Sequence, residues 1–450
     1  MIEYRYISII FIFLFASCKD YQNSQKSLNH SEQALSIEKS IDAGLNTSAV
    51  AEMIGPWYSG ENTTTPNLFS DGEKLYLSWV VLEGSQASLY FSVYGQKQWE
   101  APRLISQGND WFVNWADFPQ FAVYENKMIA TFLQKSDEGT YTYDIYYTLK
   151  EGENTWTNPK KLHRDDTKSE HGFVSIAPGK EGFLVSWLDG RNTVIKENSP
   201  SQAQNNEHFN HGTGAMTLRS TMVHFNGSLG EESLVDTRVC DCCQTAVILD
   251  QNNQAFLAYR GRSDTEVRDI LLRKGSPLEG WSSSVTTNDQ WLIPGCPVNG
   301  PSIDVFGDAL ALSWFTASKD EPRVEVAFSS TEKLGLTEAT RMDSGNAIGR
   351  VDVVQLSAES AIVSWVEPMG KTDYIRAQWV DIKGKKGPLI TVSETSSERA
   401  TGFPRMVRHK DNLYLVTTNL KPDKSKAVIL KTWPISTMLL EDINEVKANE

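Results

Sequence analysis

Phe183–Arg191 reads FLVSWLDGR, a short apolar run with one tryptophan, closed by a polar turn. The phrase returns as Leu75–Val80 (LYLSWV), Met128–Leu133 (MIATFL), Ala255–Arg262 (AFLAYRGR), Leu310–Thr316 (LALSWFT), Ala361–Glu367 (AIVSWVE) and Leu413–Asn419 (LYLVTTN). Aligned on Trp79, Phe132, Trp187, Tyr259, Trp314, Trp365 and Thr417, the copies stand 53, 55, 72, 55, 51 and 52 residues apart. A strand recurring at a near-fixed period marks a repeat fold, because one unit cannot bury its own apolar face and must stack on neighbours. Short strands in blocks of this size predict an all-β, seven-bladed β-propeller of four-stranded antiparallel blades. A pair of β-sandwiches is the competing architecture, and seven regular copies argue against it.

Each block repeats one order: an inner strand, the central strand quoted above, a third strand of alternating bulky residues, and a short fourth. The inner strands are expected to start near Pro66, Phe118, Gly172, Gln244, Pro301, Arg350 and Phe403. Alternation with β-branched and aromatic residues supports strands, and Asp-Gly, Glu-Gly and Asn-rich stretches supply the turns. The propeller is expected over residues 49–440, with a tail at 441–450. Either the segment before Pro66 or the tail after Ile435 has to complete one blade and close the ring. The third block is longer by about 17 residues, in Asn192–Gly214, whose Gly, Asn and Ser content reads as a loop. Such a loop either covers a site on the scaffold or is a disordered insertion.

The chain has 450 residues and a formal net charge of −14, which excludes nucleic acid as a natural partner. Residues 1–17 carry one arginine before the apolar run Ile9–Ala16, too short for a membrane span. The following FASC resembles a bacterial lipoprotein signal, with Cys18 as the lipidated residue. It implies a protein lipid-anchored outside the cytoplasm of a Gram-negative bacterium, periplasmic or at the cell surface; a monomer is expected. Residues 18–48, rich in Ser, Asn, Gln and Lys, read as a tether.

In a propeller, the start of each inner strand and the end of the next strand share one face around the axial channel. That rim gathers Asn114, Trp115 and Asp117; Glu170, His171, Asp189 and Arg191; Cys240, Asp241, Cys242, Cys243, Tyr259, Arg260 and Arg262; Cys296 and Asn299; and Arg350 and Arg405. Guanidinium forks match carboxylates and aromatic faces stack on sugar rings, so the set fits an anionic carbohydrate. Arginines salt-bridged within the sheet rims are the plain alternative.

The blades, the DGR and RGR strand ends, and Thr148–Trp156 (TLKEGENTW) together resemble the sialidase-like, BNR-repeat propellers. Gly152, Thr155 and Trp156 fit that family's Asp-box turn, and Phe328–Leu336 (FSSTEKLGL) reads as a second decayed copy. The resemblance implies an exo-glycosidase using substrate-binding arginines, a tyrosine–glutamate pair and an aspartic acid. On this chain Arg350 and Arg405 would take the carboxylate, and Tyr259 and Asp117 the other roles. The family has six blades where seven are counted here. A second enzyme reading is a polysaccharide lyase, with His171, Tyr259 and Arg260 or Arg262 acting by β-elimination on a uronic-acid glycan; histidine suits acid–base work near neutrality. His163, His171, His208, His211 and His224 fall within one segment. A non-catalytic glycan- or partner-binding propeller is the third reading.

Beyond Cys18 the cysteines are Cys240, Cys242, Cys243 and Cys296. An even count outside the cytoplasm predicts two disulfides, one from Cys296 across adjacent blades and one strained pair within CDCC. The competing reading is a metal site of thiolates plus a histidine such as His171 or His211, whose soft ligands would select zinc or copper(I). Calcium held by scattered aspartates is a further option, and the carbohydrate reading requires no cofactor.

Overall fold

Seven antiparallel sheets form a seven-bladed β-propeller in this computed structural model, which describes residues 49–56, 62–194 and 214–439. The leader (1–17), the tether (18–48) with Cys18, His208 and His211 of the long loop, and the tail (441–450) lie outside the described residues.

Blade 1 runs Thr63–Ser70, Leu75–Glu83, Gln86–Gly95, and an outer edge shared by Gln98–Trp99 and Arg103–Gly108. Blade 2 is Gln120–Tyr124, Lys127–Lys135, Tyr143–Glu151 and Lys160–Lys161; blade 3 is His171–Gly179, Gly182–Asp189, Thr217–His224 and Ser233–Asp236. Blade 4 is Ala246–Leu249, Ala255–Arg260, Ile270–Ser276, and an outer edge of Gly280–Trp281 and Val285–Thr286. Blade 5 is Ser302–Phe306, Ala309–Thr316, Arg323–Ser330 and Thr340–Arg341; blade 6 is Gly349–Ser357, Ser360–Met369, Thr372–Asp381 and Lys386–Thr395. Blade 7 is Arg405–His409, Asn412–Leu420 and Lys426–Pro434, with Ala51–Met53 as its outermost strand.

The N-terminal segment therefore closes the ring. Ala51 pairs with Thr432 and Met53 with Leu430, so the start and end of the described chain share one sheet. Thr63 Oγ1 accepts from Val428 N at 2.8 Å, which fixes blade 1 against blade 7.

The recurring central strand is where the core sits. Trp79, Trp187, Trp314, Trp365, Phe132, Tyr259 and Thr417 are all buried, packed between neighbouring sheets. A buried indole needs a partner for its N–H. Trp187 donates to Asp189 (2.9 Å) and Trp365 to Glu367 (2.8 Å), two residues on along the same strand face. Trp314, whose i+2 residue is Thr316, donates to Asp289 at 2.9 Å instead. The acids are closed by arginines: Arg219 lies 3.8 Å from Asp189, Arg376 3.2 Å from Glu367 and Arg323 4.0 Å from Asp289. The Trp–acid–Arg unit is thus a repeated structural part, and it accounts for the Asp of the DGR strand end.

Polar side chains link successive inner strands along the channel. Asn67 donates to Gln120 at 3.2 Å, Ser175 meets Thr245 at 2.8 Å, and Ser302 donates to Asp352 at 2.7 Å. The Asp-box-like turn falls between the third and fourth strands of blade 2, where Trp156 packs edge-on to Phe91 of blade 1.

Candidate functional site

Three inner strands carry the same irregularity, in blades 1, 3 and 6; in blade 1 it falls at Thr65 (φ 45°), between Thr64 and Asn67. In blade 3 the register slips between Gly172 and Ser175, and Phe173 sits at φ 53°; in blade 6 it slips between Gly349 and Asp352, and Arg350 sits at φ 54°. A bulged, left-handed residue of this size costs about 1–3 kcal/mol and persists only where its surroundings fix it. In blades 3 and 6 the fixing group is a side chain from the loop that leads into the preceding blade. Asp117 Oδ1 accepts from Phe173 N at 2.7 Å, and Asn299 Oδ1 accepts from Arg350 N at 2.8 Å. Asn114 aims Asp117 by accepting from Ala116 N (2.8 Å) and Asp117 N (3.3 Å).

Asp117 differs from Asn299 in its second oxygen. The Tyr143 hydroxyl lies 3.1 Å from Asp117 Oδ2 and 2.7 Å from Glu170 Oε1. A phenol has one proton to donate. It can therefore serve one carboxylate, while the other carboxyl must bring its own proton. Burial pushes Asp117 up to about 7. Burial, with the charges of Asp117 and Asp241 adding to it, pushes Glu170 up to about 8. Tyr143 is raised by burial and by both acids. Phe112 stacks on Tyr143 at 4.2 Å and covers it. Asp117 and Tyr143 are buried, and Glu170 is half-buried.

Around this triad stand a basic–acidic cluster and an aromatic platform. Asp241 is held by Arg262 at 3.0 Å, and Arg262 also forks onto Glu266 at 2.7 Å. Half-buried Trp115 stacks on Phe403 (5.7 Å), with Arg350 5.4 Å and exposed Arg399 6.0 Å from its ring. Two shallow grooves elsewhere, beside Ile54 and Trp99 and beside Ser396 and Lys421, share no residue with this cluster.

The expected arginines are mostly spent inside the protein. Arg260 is fully buried and donates to the carbonyls of Asn299, Arg268 and Phe315. Arg191 forks onto Asp189 (2.7 Å) and reaches Glu232 (3.0 Å). Arg350 donates to Thr401 Oγ1 and to the carbonyls of Ser397 and Glu398. Arg405 keeps about a third of its side chain exposed, with Nε 3.6 Å from Asp352.

His171 and Tyr259 do not share a cavity. Tyr259 gives its hydroxyl to Asp236 at 2.6 Å between blades 3 and 4 and accepts from Arg273 at 2.7 Å. His171 lies between blades 2 and 3, stacked on His163 at 3.8 Å, with Asp165 at 3.0 Å, Asp144 at 3.5 Å and Asp189 at 3.8 Å. Burial and His163 hold His171 below the usual histidine range. Asp144, His163 and His171 come close enough to hold a cation, as do Asp165, His171 and Asp189. With Arg191 beside them these charges also close on themselves as an internal ion network.

The four cysteines differ from the expected disulfides. None is bridged, and Cys240 Sγ and Cys243 Sγ lie 3.5 Å apart, beyond bonding distance. Cys240, Cys242 and Cys243 form a third group able to hold a cation.

Sequence reasoning missed Tyr143. It counted the ends of second strands and the starts of inner strands, but the third strand of each blade also begins at this face, and Tyr143 begins one. Glu170 was on the rim; strand alternation turns it from its neighbour His171 toward Tyr143.

No known protein family matches the chain, and no curated protein matches it. Solved structures with a similar trace include the Trypanosoma rangeli sialidase in complex with the inhibitor DANA (11% identity, TM-score 0.41, covering 78% of this chain and 59% of that one). Others are the polysaccharide lyase Uly1 (7%, TM-score 0.48, 85% and 91%) and the Penicillium chrysogenum alpha-L-arabinanase complexed with arabinobiose (11%, TM-score 0.46, 87% and 99%). This chain thus spans about three fifths of the sialidase's length. All three are carbohydrate-active propellers.

Proposed function

We propose that the protein acts on a glycan at the mouth of blades 2 to 4, with Glu170 as the proton donor to a glycosidic oxygen. The observation behind this is two carboxyl groups that meet at the single Tyr143 hydroxyl, where burial keeps a proton at neutral pH. A general acid works best when its pKa lies near the working pH. Glu170, raised to about 8, is such a group and is the half-buried member of the three. The proton passes from Glu170 to the leaving oxygen, water adds to the sugar, and the water's proton restores Glu170. Asp241, paired with Arg262, is the carboxylate placed to face the positive charge that develops on the sugar ring. Tyr143 ties Glu170 to Asp117 and sets its orientation.

The side-chain types are those of the sialidase-like reading, carried by Tyr143 rather than Tyr259. Trp115 offers the ring platform, and Arg399 and Arg405 are the cations available to an acidic sugar. Elimination through His171 and Tyr259 has no shared cavity to support it. The leader and Cys18 would place this activity outside the cytoplasm on a lipid tether.

The test is turnover of fluorogenic sialosides, arabinofuranosides and uronic-acid glycans by the wild type and by Glu170→Gln. The expected result is release from one of these substrates and a loss of at least about 100-fold in kcat for the variant, with KM little changed. Equal rates in the two proteins would overturn the assignment. Retention of a glycan without cleavage by the wild type would make the mouth a binding site only.

A further inference from the structure

Four cysteines converge at the mouth from two loops of adjacent blades. Cys240, Cys242 and Cys243 precede the inner strand of blade 4, and Cys296 lies in the loop leading into blade 5. The sulfurs of Cys240, Cys242 and Cys243 all lie within 4.8 Å of one another. Cys296, from the facing loop, lies near Cys240 and Cys242 and outside the three-sulfur group. Cys240 and Cys243 are buried, Cys242 is half-buried and Cys296 is exposed.

We infer that Cys240, Cys242 and Cys243, completed by Cys296 from the facing loop, form a binding site for one thiophilic d10 cation, zinc or copper(I). Three features carry this. First, the 3.5 Å between Cys240 Sγ and Cys243 Sγ is close to the edge of a sulfur tetrahedron around zinc, about 3.8 Å for a metal–sulfur distance of about 2.3 Å. Second, the alternative of two disulfides has to place one of them within C-x-C-C, where ring geometry is strained. Third, the cluster is supplied with positive charge. Buried Arg268 donates to Cys240 Sγ at 3.2 Å, and the Arg260 charge acts on Cys243. A disulfide sulfur is neutral and gains little from a buried guanidinium. Four thiolates around a divalent cation carry a surplus of two negative charges, which these arginines partly offset, Arg268 being shared with Glu266 at 2.7 Å; outer-shell donors of this kind orient ligands and tune the metal.

The site has a consequence for its neighbour. Asp241 stands between two of the ligands, and its carboxylate is paired with Arg262 (3.0 Å) and lies 3.9 Å from Arg268. The cation would pin the CDCC loop to the blade 5 loop and so hold Asp241 at the mouth. Asp241 is then positioned by the metal without touching it. The metal site itself does not depend on the glycan reading.

The full chain, purified without reductant, is assayed for zinc and copper by elemental mass spectrometry and for thiols before and after denaturation in chelator. The expected result is one cation per chain, taken up from added zinc or copper(I) if lost on purification, and four thiols besides Cys18 that react only once the cation is stripped. Cobalt(II) in its place gives the sulfur-to-metal absorption of a tetrahedral thiolate site. Cys296→Ser, at the exposed ligand, keeps the fold and weakens cation affinity at least about tenfold, and Cys296→His recovers part of it. Two disulfides by mass spectrometry, or four thiols that take up no cation, would overturn the proposal. Stripping the cation without loss of glycan turnover would leave the site standing and remove only its link to Asp241.

Discussion

The blade 2–3 junction and the blade 5–6 junction are built on one plan. Each has a glycine followed by a residue in the left-handed region at the head of an inner strand, Gly172–Phe173 and Gly349–Arg350. Each has that residue's N–H capped by a side-chain oxygen from the loop that leads into the preceding blade, Asp117 or Asn299. In the second junction the cap is a neutral amide, and its Nδ2 is used up on the carbonyls of Pro297 (3.3 Å) and Ile348 (3.2 Å). The fold therefore requires one acceptor oxygen at this place and no charge. In the first junction the cap is a carboxyl whose spare oxygen meets Tyr143, which in turn meets Glu170. The second junction has a raised acid too, Asp304 at about 7, spent on the Gln355 N–H at 2.7 Å; what the first has beyond it is a second carboxyl joined to the cap through Tyr143, and that pair is what chemistry can use.

The glycines give the largest expected effect. A Cβ at Gly172 would lie 1.9 Å from Asp117 Oδ2, and one at Gly349, which is at φ +91°, 2.4 Å from Asn299 Oδ1. Alanine at either site is expected to cost about 3 kcal/mol in urea unfolding, since the crowded atom belongs to the cap itself. If only one glycine is sensitive, the two junctions are not equivalent. Removing a cap comes next. Asp117→Ala and Asn299→Ala each strand a buried N–H and should cost about 1–3 kcal/mol.

Exchange of cap type separates fold from chemistry. Asp117→Asn keeps the acceptor and should fold, yet it loses the spare acid. Its signature is a change in pH dependence. Asp117 and Glu170 hold protons more tightly in the folded chain (about 7 and about 8) than in the unfolded one, where carboxyls titrate near 4. Their contribution is fully present below about pH 4 and falls as pH rises, until pH passes the folded values. The slope is at most about −1.4 kcal/mol per pH unit for each group. Asp117→Asn should flatten the profile between pH 4 and 7, and Glu170→Gln between 4 and 8. Asn299→Asp should steepen it if charge at a cap is costly. The smallest effect on stability is expected at half-buried Trp115. Its change to Ala should alter unfolding by less than about 1.5 kcal/mol, and weaken glycan binding if the platform is used.

The blades were legible because the core repeats: Trp79, Trp187, Trp314 and Trp365 each mark a buried central strand. Ring closure was narrowed to two segments and no further, because Ala51–Met53 is three residues long, has no buried residue, and pairs through its backbone. Arginine roles were illegible for a related reason. Arg260 is satisfied by three main-chain carbonyls, which leave no trace in side-chain composition. Asp117 and Glu170 could be placed at the rim from strand starts alone. Their union through Tyr143 could not, since that contact spans a blade interface and 26 and 27 residues of sequence.

Carboxyl carbon NMR on Asp- and Glu-labelled protein, compared with Asp117→Asn and Glu170→Gln, reads the shared proton directly. Two resonances titrating near 7 and 8, each missing from one variant and shifted in the other, are the predicted result. Resonances of Asp117 and Glu170 that both titrate below about 5 would mean that Tyr143 bridges two ordinary carboxylates, and the proton donor at this mouth would not exist.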